Sequence, residues 1–256
     1  MLRWLPEDVS PYGAGIDALF HLIYTLTAVV FLGVTTVMLI FLVRYRARDG
    51  RRAVYTHGNT RVEILWTIIP AAIFIWLGLL SKSQWETIRM TMPQTATTIS
   101  ITAKQFNWEI LYPGPDGQFG TSDDKQVDNE IYVPVGQPIR VILRSKDVIH
   151  SLFLPNLRFK QDAVPGREIQ VWFQANKPGK YEVPCAELCG FGHSGMKGWL
   201  YALSTEDYRQ WQREQWPQTA ELSIDAKPST TEGAVWKAQA QLIFAWPKDD
   251  GAGTAQ

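Results

Sequence analysis

Two long apolar stretches near the N-terminus constrain the fold of this chain more than any other feature. Residues 18–43 contain no Asp, Glu, Lys or Arg, and residues 64–81 form a second apolar stretch. About 20 apolar residues suffice to cross the hydrocarbon core of a bilayer. A buried core helix is the alternative, but no polar face interrupts the first stretch. The pattern predicts a transmembrane helical hairpin over residues 18–82, surrounded by membrane lipids.

The segment between the two stretches, residues 44–63, indicates which way the hairpin faces. It carries six arginines, which are Arg44, Arg46, Arg48, Arg51, Arg52 and Arg61. Because cytoplasmic loops of membrane proteins are enriched in Lys and Arg, this segment is predicted to be cytoplasmic. The N-terminal tail, residues 1–17, has a single arginine. Both termini are therefore expected on the outer, periplasmic side of a bacterial-type inner membrane.

A nucleic-acid surface is the competing interpretation of these arginines. The segment is short and is held at the bilayer on both sides. The formal net charge of the whole chain is +0, so no general basic character favours a polyanion. These properties exclude nucleic acid from the expected partners.

After Lys82 the sequence changes to short segments that are rich in β-branched and aromatic residues. Five such segments are residues 97–103, 131–135, 139–144, 169–175 and 197–204. Several short strands at this spacing, with turn residues between them, are typical of a β-sandwich or barrel. We therefore predict an all-β domain over residues 95–204.

Three further segments complete the domain description. The acidic insertion at residues 116–129 is interpreted as a solvated loop, because its oxygen ligands lack the spacing of an EF-hand. Ser204 precedes two acidic residues and begins a predicted short helix over residues 205–216. Residues 217–256 are predicted to form an extended or partly disordered tail.

The only two cysteines lie in one short loop, Cys185-Ala-Glu-Leu-Cys189-Gly-Phe-Gly-His193-Ser-Gly-Met196. Two thiols, an imidazole and a thioether are soft or borderline ligands, which suit copper better than magnesium or calcium. A disulfide between the cysteines and a zinc site are the alternatives. The spacing favours copper and leaves both alternatives open.

The wider pattern around this loop resembles a known family. The loop reads Cys-x-Glu-x-Cys-x-x-x-His-x-x-Met, and His150-Ser151 lies upstream of it. The two apolar stretches, the segment Gln105-Phe-Asn-Trp108 and the turn at residues 162–167 appear in the same order as in that family. The chain resembles subunit II of the haem–copper cytochrome c oxidases, which carries a binuclear copper centre called CuA.

The resemblance implies a cupredoxin-like β-barrel and a set of six copper ligands. They are His150, Cys185, Glu187, Cys189, His193 and Met196. The two cysteines would bridge two copper ions, each histidine would bind one of them, and the methionine would be a weak ligand. Glu187 would bind copper through its backbone carbonyl, and its side chain would reach a magnesium ion shared with subunit I.

The resemblance also implies a role in respiration. Electrons from cytochrome c, or a similar soluble donor, would pass through the copper centre to haem in subunit I. There, oxygen is reduced to water and protons are pumped. Among the other oxidase subunits, subunit I is the expected direct partner.

Three further places in the sequence correspond to functional positions of the family. Asp147 matches an acid that helps to dock the donor, and Glu63 matches a carboxylate at the cytoplasmic entrance of a proton path. An acid at a helix N-terminus is the simpler interpretation of Glu63. The family places a tryptophan directly after the glutamine to receive electrons, whereas this chain has Phe106 there and Trp108 two residues later. Electron uptake is therefore expected at Phe106, Trp108 or Tyr112, and the donor's identity is open.

Two other functions compete with this interpretation. A quinol oxidase subunit II shares the hairpin and the β-domain but lacks the copper ligands. A membrane-anchored copper-binding assembly protein usually carries a simpler pair of cysteines. Neither class matches the complete loop from Cys185 to Met196.

Overall fold

The computed structural model describes residues 5–55, 57–94 and 97–217. All but the first position of the predicted tail, residues 217–256, lies outside the described residues. The described chain divides into a helical unit, Ala14–Thr87, and a second unit formed by the N-terminal segment and the residues from Ile88 onward.

The helical unit contains two long helices. Helix α1 spans Gly13–Arg44 and helix α2 spans Thr60–Trp85, and a short π-helical turn, Glu86–Met90, follows α2. The side chain of Asn59 caps α2 by accepting hydrogen bonds from the first backbone N–H groups of the helix. Both helices are long and apolar enough to cross a membrane.

The second unit is built from ten strands. They are β1 Thr97–Lys104, β2 Asn107–Tyr112, β3 Lys125–Asp128, β4 Glu130–Pro134, β5 Ile139–Ser145, β6 His150–Leu154, β7 Phe159–Ala163, β8 Ile169–Phe173, β9 Gly179–Pro184 and β10 Lys197–Leu203. One sheet has the order β3-β2-β1-β5-β8, a second has the order β4-β10-β9, and β6 pairs with β7. Two apolar helices followed by an all-β domain confirm the predicted fold class.

The core follows from the alternation of side chains along the strands. In β1, Ile99, Ile101 and Ala103 are fully buried, and Val141 and Leu143 of β5 are buried beside them. Successive residues of a strand face opposite sides, so these residues form one apolar face. β1 pairs with β5 in parallel and with β2 in antiparallel orientation, which places β1 in the middle of its sheet.

The acidic insertion is only partly the solvated loop that its composition suggests. Residues 125–128 form β3 and pair with β2 in register Glu109↔Asp128. Val127 packs against the core, whereas its neighbours Gln126 and Asp128 are exposed. One inward-facing apolar residue between polar neighbours is too weak a pattern to predict a strand from sequence.

A short helix, α3, closes one side of the β-domain over Thr205–Gln215. The hydroxyl of Ser204 caps it by accepting a hydrogen bond from the N–H of Asp207. Trp211 stacks on Tyr132 at 5.1 Å between ring centroids and meets Tyr112 edge-on at 5.0 Å. The helix is therefore held by aromatic packing against β2 and β4.

The N-terminal segment also belongs to the β-containing unit. Val9 is buried, its N–H donates to the carbonyl of Asn156, and its carbonyl accepts from the N–H of Asn176. These two backbone hydrogen bonds join the segment to two separate loops of the domain.

Candidate metal centre

The twelve-residue loop that carries the cysteines is closed on itself between β9 and β10. The N–H of Cys185 donates to the carbonyl of Met196 at 3.0 Å, so the two ends of the loop meet. Inside the loop, a short 3₁₀ turn at His193–Gly195 brings the methionine back towards the cysteines. The loop therefore holds its donors close together through its own backbone.

A second segment supplies the remaining histidine. The N–H of Ala186 donates to the carbonyl of Ser151 at 3.0 Å, and Leu152 forms an isolated bridge with Cys185. These contacts align the start of β6 with the start of the loop. His150, the first residue of β6, is fully buried beside Cys185 as a result.

The donor atoms are arranged along both sides of the two thiols. The Sγ atoms of Cys185 and Cys189 are 4.0 Å apart. On one side, Cys185 Sγ is 3.9 Å from His150 Nδ1 and 3.3 Å from the carbonyl oxygen of Glu187. On the other side, Cys189 Sγ is 3.6 Å from His193 Nδ1.

The sixth predicted ligand joins the second side of the site. Met196 is buried, and its Sδ is 3.8 Å from Cys189 Sγ. The structure thus brings all six predicted donor groups together. His150, Cys185 and Cys189 are all buried, and their ligand atoms lie within 4.8 Å of one another.

The two cysteines are free thiols in this arrangement. Their 4.0 Å separation is about twice the length of a disulfide bond. Burial raises the pKa of the Cys189 thiol to about 11, and the neighbouring Cys185 adds to the increase. A metal ion that binds here must therefore displace the thiol protons.

The chemistry of the donor set fits copper. Two sulfur atoms of cysteine, two imidazoles and a thioether are soft or borderline ligands, which copper prefers. A structural zinc site would gather four ligands around one point. Here one histidine lies beside each cysteine, so the donors are divided between two positions and would suit two ions better than one.

Asp147 fixes the orientation of His150. Its Oδ1 accepts a hydrogen bond from His150 Nε2 at 2.8 Å, which leaves the lone pair of Nδ1 facing Cys185. The same carboxylate accepts from the N–H groups of Gln105 at 2.6 Å and Val148 at 2.7 Å. Burial raises the pKa of Asp147, but these hydrogen bonds outweigh burial and the net pKa is below the usual value.

Gln105 joins the two segments that carry the donors. Its backbone N–H donates to Asp147, and its side-chain Nε2 donates to the carbonyl of Cys189 at 2.5 Å. The sequence alone assigns no role to Gln105. No local pattern signals one, because its partners lie 42 and 84 residues away. The contact of Asp147 with His150 could have been suspected from their spacing of three residues.

The two aromatic candidates for electron uptake occupy different places. The side chain of Phe106 is 40% exposed. Its ring packs against the twelve-residue loop so closely that a Cβ atom added to Gly192 would come within 2.5 Å of it. Trp108 is 1% exposed, with its ring centroid 6.2 Å from that of His150. A protein that docks from solvent can touch Phe106 directly, but the burial of Trp108 does not fit direct contact with a donor.

Glu63 belongs to the helical unit and stands in the first turn of α2. Its N–H donates to the carbonyl of Asn59, and its carboxylate folds back towards Gly58. An acid at this position is favoured by the partial positive charge at the helix N-terminus.

Comparison with known proteins gives this site its context. A family model described as the periplasmic domain of cytochrome c oxidase subunit II matches residues 100–201. A second, described as the transmembrane domain of the same subunit, matches residues 3–83. The chain belongs to the cytochrome c oxidase subunit II family.

Individual relatives agree with this assignment. The alternative cytochrome c oxidase subunit 2 of Bradyrhizobium diazoefficiens is 30% identical over 83% of this chain and 84% of the relative. The cytochrome c oxidase subunit 2 of Thermostichus vulcanus is 28% identical over 82% of this chain and 78% of the relative. A crystal structure of the periplasmic domain of subunit II of cytochrome oxidase from Bradyrhizobium japonicum is similar with a TM-score of 0.45. It is 30% identical and covers 50% of this chain and 99% of that one.

This subunit II is a membrane protein with a periplasmic β-domain, and it is part of an oxidoreductase complex, the haem–copper oxidase. Within that complex it is the subunit that accepts electrons. The family and the general function predicted from the sequence are confirmed.

Proposed function

We propose that this subunit holds a binuclear CuA centre through His150, Cys185, Glu187, Cys189, His193 and Met196. The observation that carries the proposal is the pair of free thiols 4.0 Å apart with one imidazole nitrogen beside each. When bound, the copper pair supplies a one-electron centre in which the charge is shared between two metal ions. A quinol oxidase subunit would not need these donors.

The protein contributes a fixed ligand geometry. The loop is closed by the Cys185–Met196 hydrogen bond, and β6 is joined to it through Ala186 and Ser151. Asp147 keeps the proton of His150 on Nε2, so that Nδ1 stays available as a ligand. Because these donors sit on strand ends and on a closed loop, little movement is expected when the charge of the site changes.

Electron uptake is assigned to Phe106. Its ring is exposed on one side and contacts the loop between Cys189 and His193 on the other. Cytochrome c, or a similar soluble donor, would dock over this ring, and the electron would continue to haem in subunit I. Trp108 would then act as packing around His150.

Glu187 has two proposed roles. Its carbonyl oxygen faces Cys185 Sγ at 3.3 Å, which supports a role as a copper ligand. Its side chain is exposed, so the carboxylate is free to bind a magnesium ion shared with subunit I.

The membrane topology is proposed to place both termini and the β-domain on the periplasmic side of the inner membrane. The packing of Val9 within the β-containing unit supports this orientation of the N-terminus. The arginine-rich segment between α1 and α2 would then be cytoplasmic, with Glu63 beside it at the entrance of a proton path.

Electron paramagnetic resonance and metal analysis test the copper proposal. We expect two copper ions per chain, a purple colour and a seven-line mixed-valence spectrum. A four-line spectrum with one copper ion would refute the binuclear centre. Cys189→Ser should abolish or convert the spectrum. Met196→Leu should keep two copper ions and mainly shift the reduction potential, which makes it the matched control.

A further inference from the structure

The protein holds the two halves of the proposed copper site in different ways. His150 begins β6 and Cys185 directly follows β9, so strands fix the backbone of both residues. Cys189 and His193 lie further along the loop, in residues 187–195, which form no strand. This second half of the site therefore depends on other contacts to keep its donors in place.

The backbone of residues 187–195 is attached to the rest of the domain at one point. The N–H groups of His193 and Gly195 both donate to carbonyls of the same loop, so these hydrogen bonds join the loop to itself. Within the part of the chain that the structure describes, a single hydrogen bond reaches residues 187–195 from outside the loop. It comes from the side chain of Gln105.

This hydrogen bond ends on the carbonyl of a cysteine. Gln105 Nε2 donates to the carbonyl oxygen of Cys189 at 2.5 Å. The amide can come this close because the next residue, Gly190, has no side chain, and a Cβ atom there would lie 2.7 Å from Nε2. Gly190 also has a φ of 132°, in the region that favours glycine. The backbone of the loop and the side chain of Gln105 thus fit each other.

The exposure of the loop shows why this contact matters. Leu188 is 79% exposed and Phe191 is exposed to the full extent, so neither side chain anchors its part of the loop within this chain. Between them, Cys189 is 3% exposed. Apart from the packing of Cys189 itself, the hydrogen bond from Gln105 is what keeps this ligand close to the domain.

The backbone of Gln105 contacts the other half of the site. Its N–H donates to Asp147 Oδ2 at 2.6 Å, and Asp147 Oδ1 accepts a hydrogen bond from His150 Nε2. One residue therefore contacts both the group that orients His150 and the backbone of Cys189. The two contacts use different parts of Gln105, so a change of its side chain removes only the contact with Cys189.

We propose that Gln105 is a positioning residue of the copper centre, whose side-chain amide holds the Cys189–His193 half of the site at a fixed place relative to the His150–Cys185 half. This inference rests on the proposed CuA centre and adds to it a residue that is not a ligand. The amide N–H also directs a partial positive charge at the Cys189 side. Its loss favours the more positively charged, oxidised state, so it should lower the reduction potential.

Alkylation of the two cysteines in the copper-free protein tests the positioning role without copper. The full-length subunit is stripped of copper with a chelator and treated with iodoacetamide at fixed pH, and fragment ions in mass spectrometry locate the label. Gln105→Met keeps the length of the side chain but removes the donor. In this variant Cys189 should react about fivefold faster, as the loss of one hydrogen bond implies. The rate at Cys185 should change by less than about twofold.

A second variant and a matched control separate the hydrogen bond from other effects. Gln105→Asn keeps the amide but is one methylene shorter, so it should behave like Gln105→Met. Gln126 is exposed on β3 and its Nε2 donates to Asp128, so Gln126→Met should leave both cysteines unchanged. The proposal is overturned if Cys189 reacts within about twofold of the wild type in both Gln105 variants, or if Cys185 accelerates as much as Cys189.

The copper-loaded protein supplies a second readout. Both Gln105 variants should bind two copper ions, lose them to a chelator about fivefold faster than the wild type and have a lower reduction potential. Equal potentials and equal rates of copper loss in the wild type and the variants would refute the positioning role alone. A wild type that does not bind two copper ions would instead refute the CuA centre on which the proposal rests.

Discussion

The role of Asp147 leads to the sharpest test of the metal site. Replacing it with Asn keeps the shape of the side chain but leaves one accepting oxygen in place of two. If that oxygen stays with His150 and Val148, the N–H of Gln105 faces an NH₂ group where the carboxylate oxygen stood at 2.6 Å. One hydrogen bond is lost, at about 1 kcal/mol, and the bond to His150 loses its charge assistance.

Of these two effects, only the weakened hydrogen bond to His150 is expected to change the affinity for copper. Outer partners of metal-bound histidines typically contribute about 10- to 100-fold to affinity. The Asp147 side chain is 30% exposed, so we expect the lower end, about tenfold, which is about 1.4 kcal/mol. The assay is competition for copper against a chelator of known affinity at fixed pH.

Asp162→Asn is the matched control for this measurement. Asp162 accepts hydrogen bonds from Ser151 and Lys160, both at 2.7 Å, but does not contact His150. The Asp162→Asn variant should be less stable than the wild type but should bind copper with the same affinity. If Asp147→Asn binds copper within about threefold of the wild type and only raises the donor KM, Asp147 is a docking residue and the reasoning from His150 is wrong.

The other predictions concern single side chains. Phe106→Ala should lower kcat/KM for the donor by about tenfold and change the unfolding free energy by less than about 0.5 kcal/mol. Trp108→Ala should cost about 3–5 kcal/mol of unfolding free energy, as measured by denaturant titration. Equal losses of unfolding free energy in the two variants would contradict the assignment of electron uptake to Phe106. Burial raises the pKa of Glu109, but Lys104 and Lys146 lower it by more than burial raises it. The folded pKa is therefore below the usual 4.5. Glu109→Gln should cost about 1 kcal/mol at neutral pH, and the difference should vanish as the pH falls through that lowered pKa. Glu63→Gln should lower oxidase turnover at least about tenfold; unchanged turnover would leave Glu63 only as a favourable charge at the start of α2.

The sequence predicts the two helices well because a membrane-spanning segment is recognised mainly by its length and apolar composition. Strands such as β1 and β5 are also predictable, since a buried face imposes alternation. β9 is harder to predict, because three of its six residues are charged or glycine and it is held mainly by pairing with β10. No local pattern in residues 179–184 indicates that β9 pairs with β10, because β10 follows only after the twelve-residue loop.

The six proposed ligands followed from the resemblance to the family, since spacing alone left a disulfide and a zinc site open, and most of their supporting contacts could not be predicted. A sequence motif shows which residue types are present at which spacing, and six possible metal donors at the family's spacing leave few other kinds of site. Asp147 illustrates the limit: the resemblance suggested a role in donor docking, but it gave no sign of the three hydrogen bonds that the carboxylate accepts within the chain. Which of two roles a carboxylate takes depends on the backbone groups that surround it, and these come from segments distant in sequence.

Gln105 shows how closely the surface and the metal site are connected. It is the residue directly before Phe106, so the ring proposed to meet the donor is attached to the backbone that binds Asp147 and, through its side chain, the carbonyl of Cys189. A displacement of Phe106 would therefore be transmitted to both ligand-bearing segments.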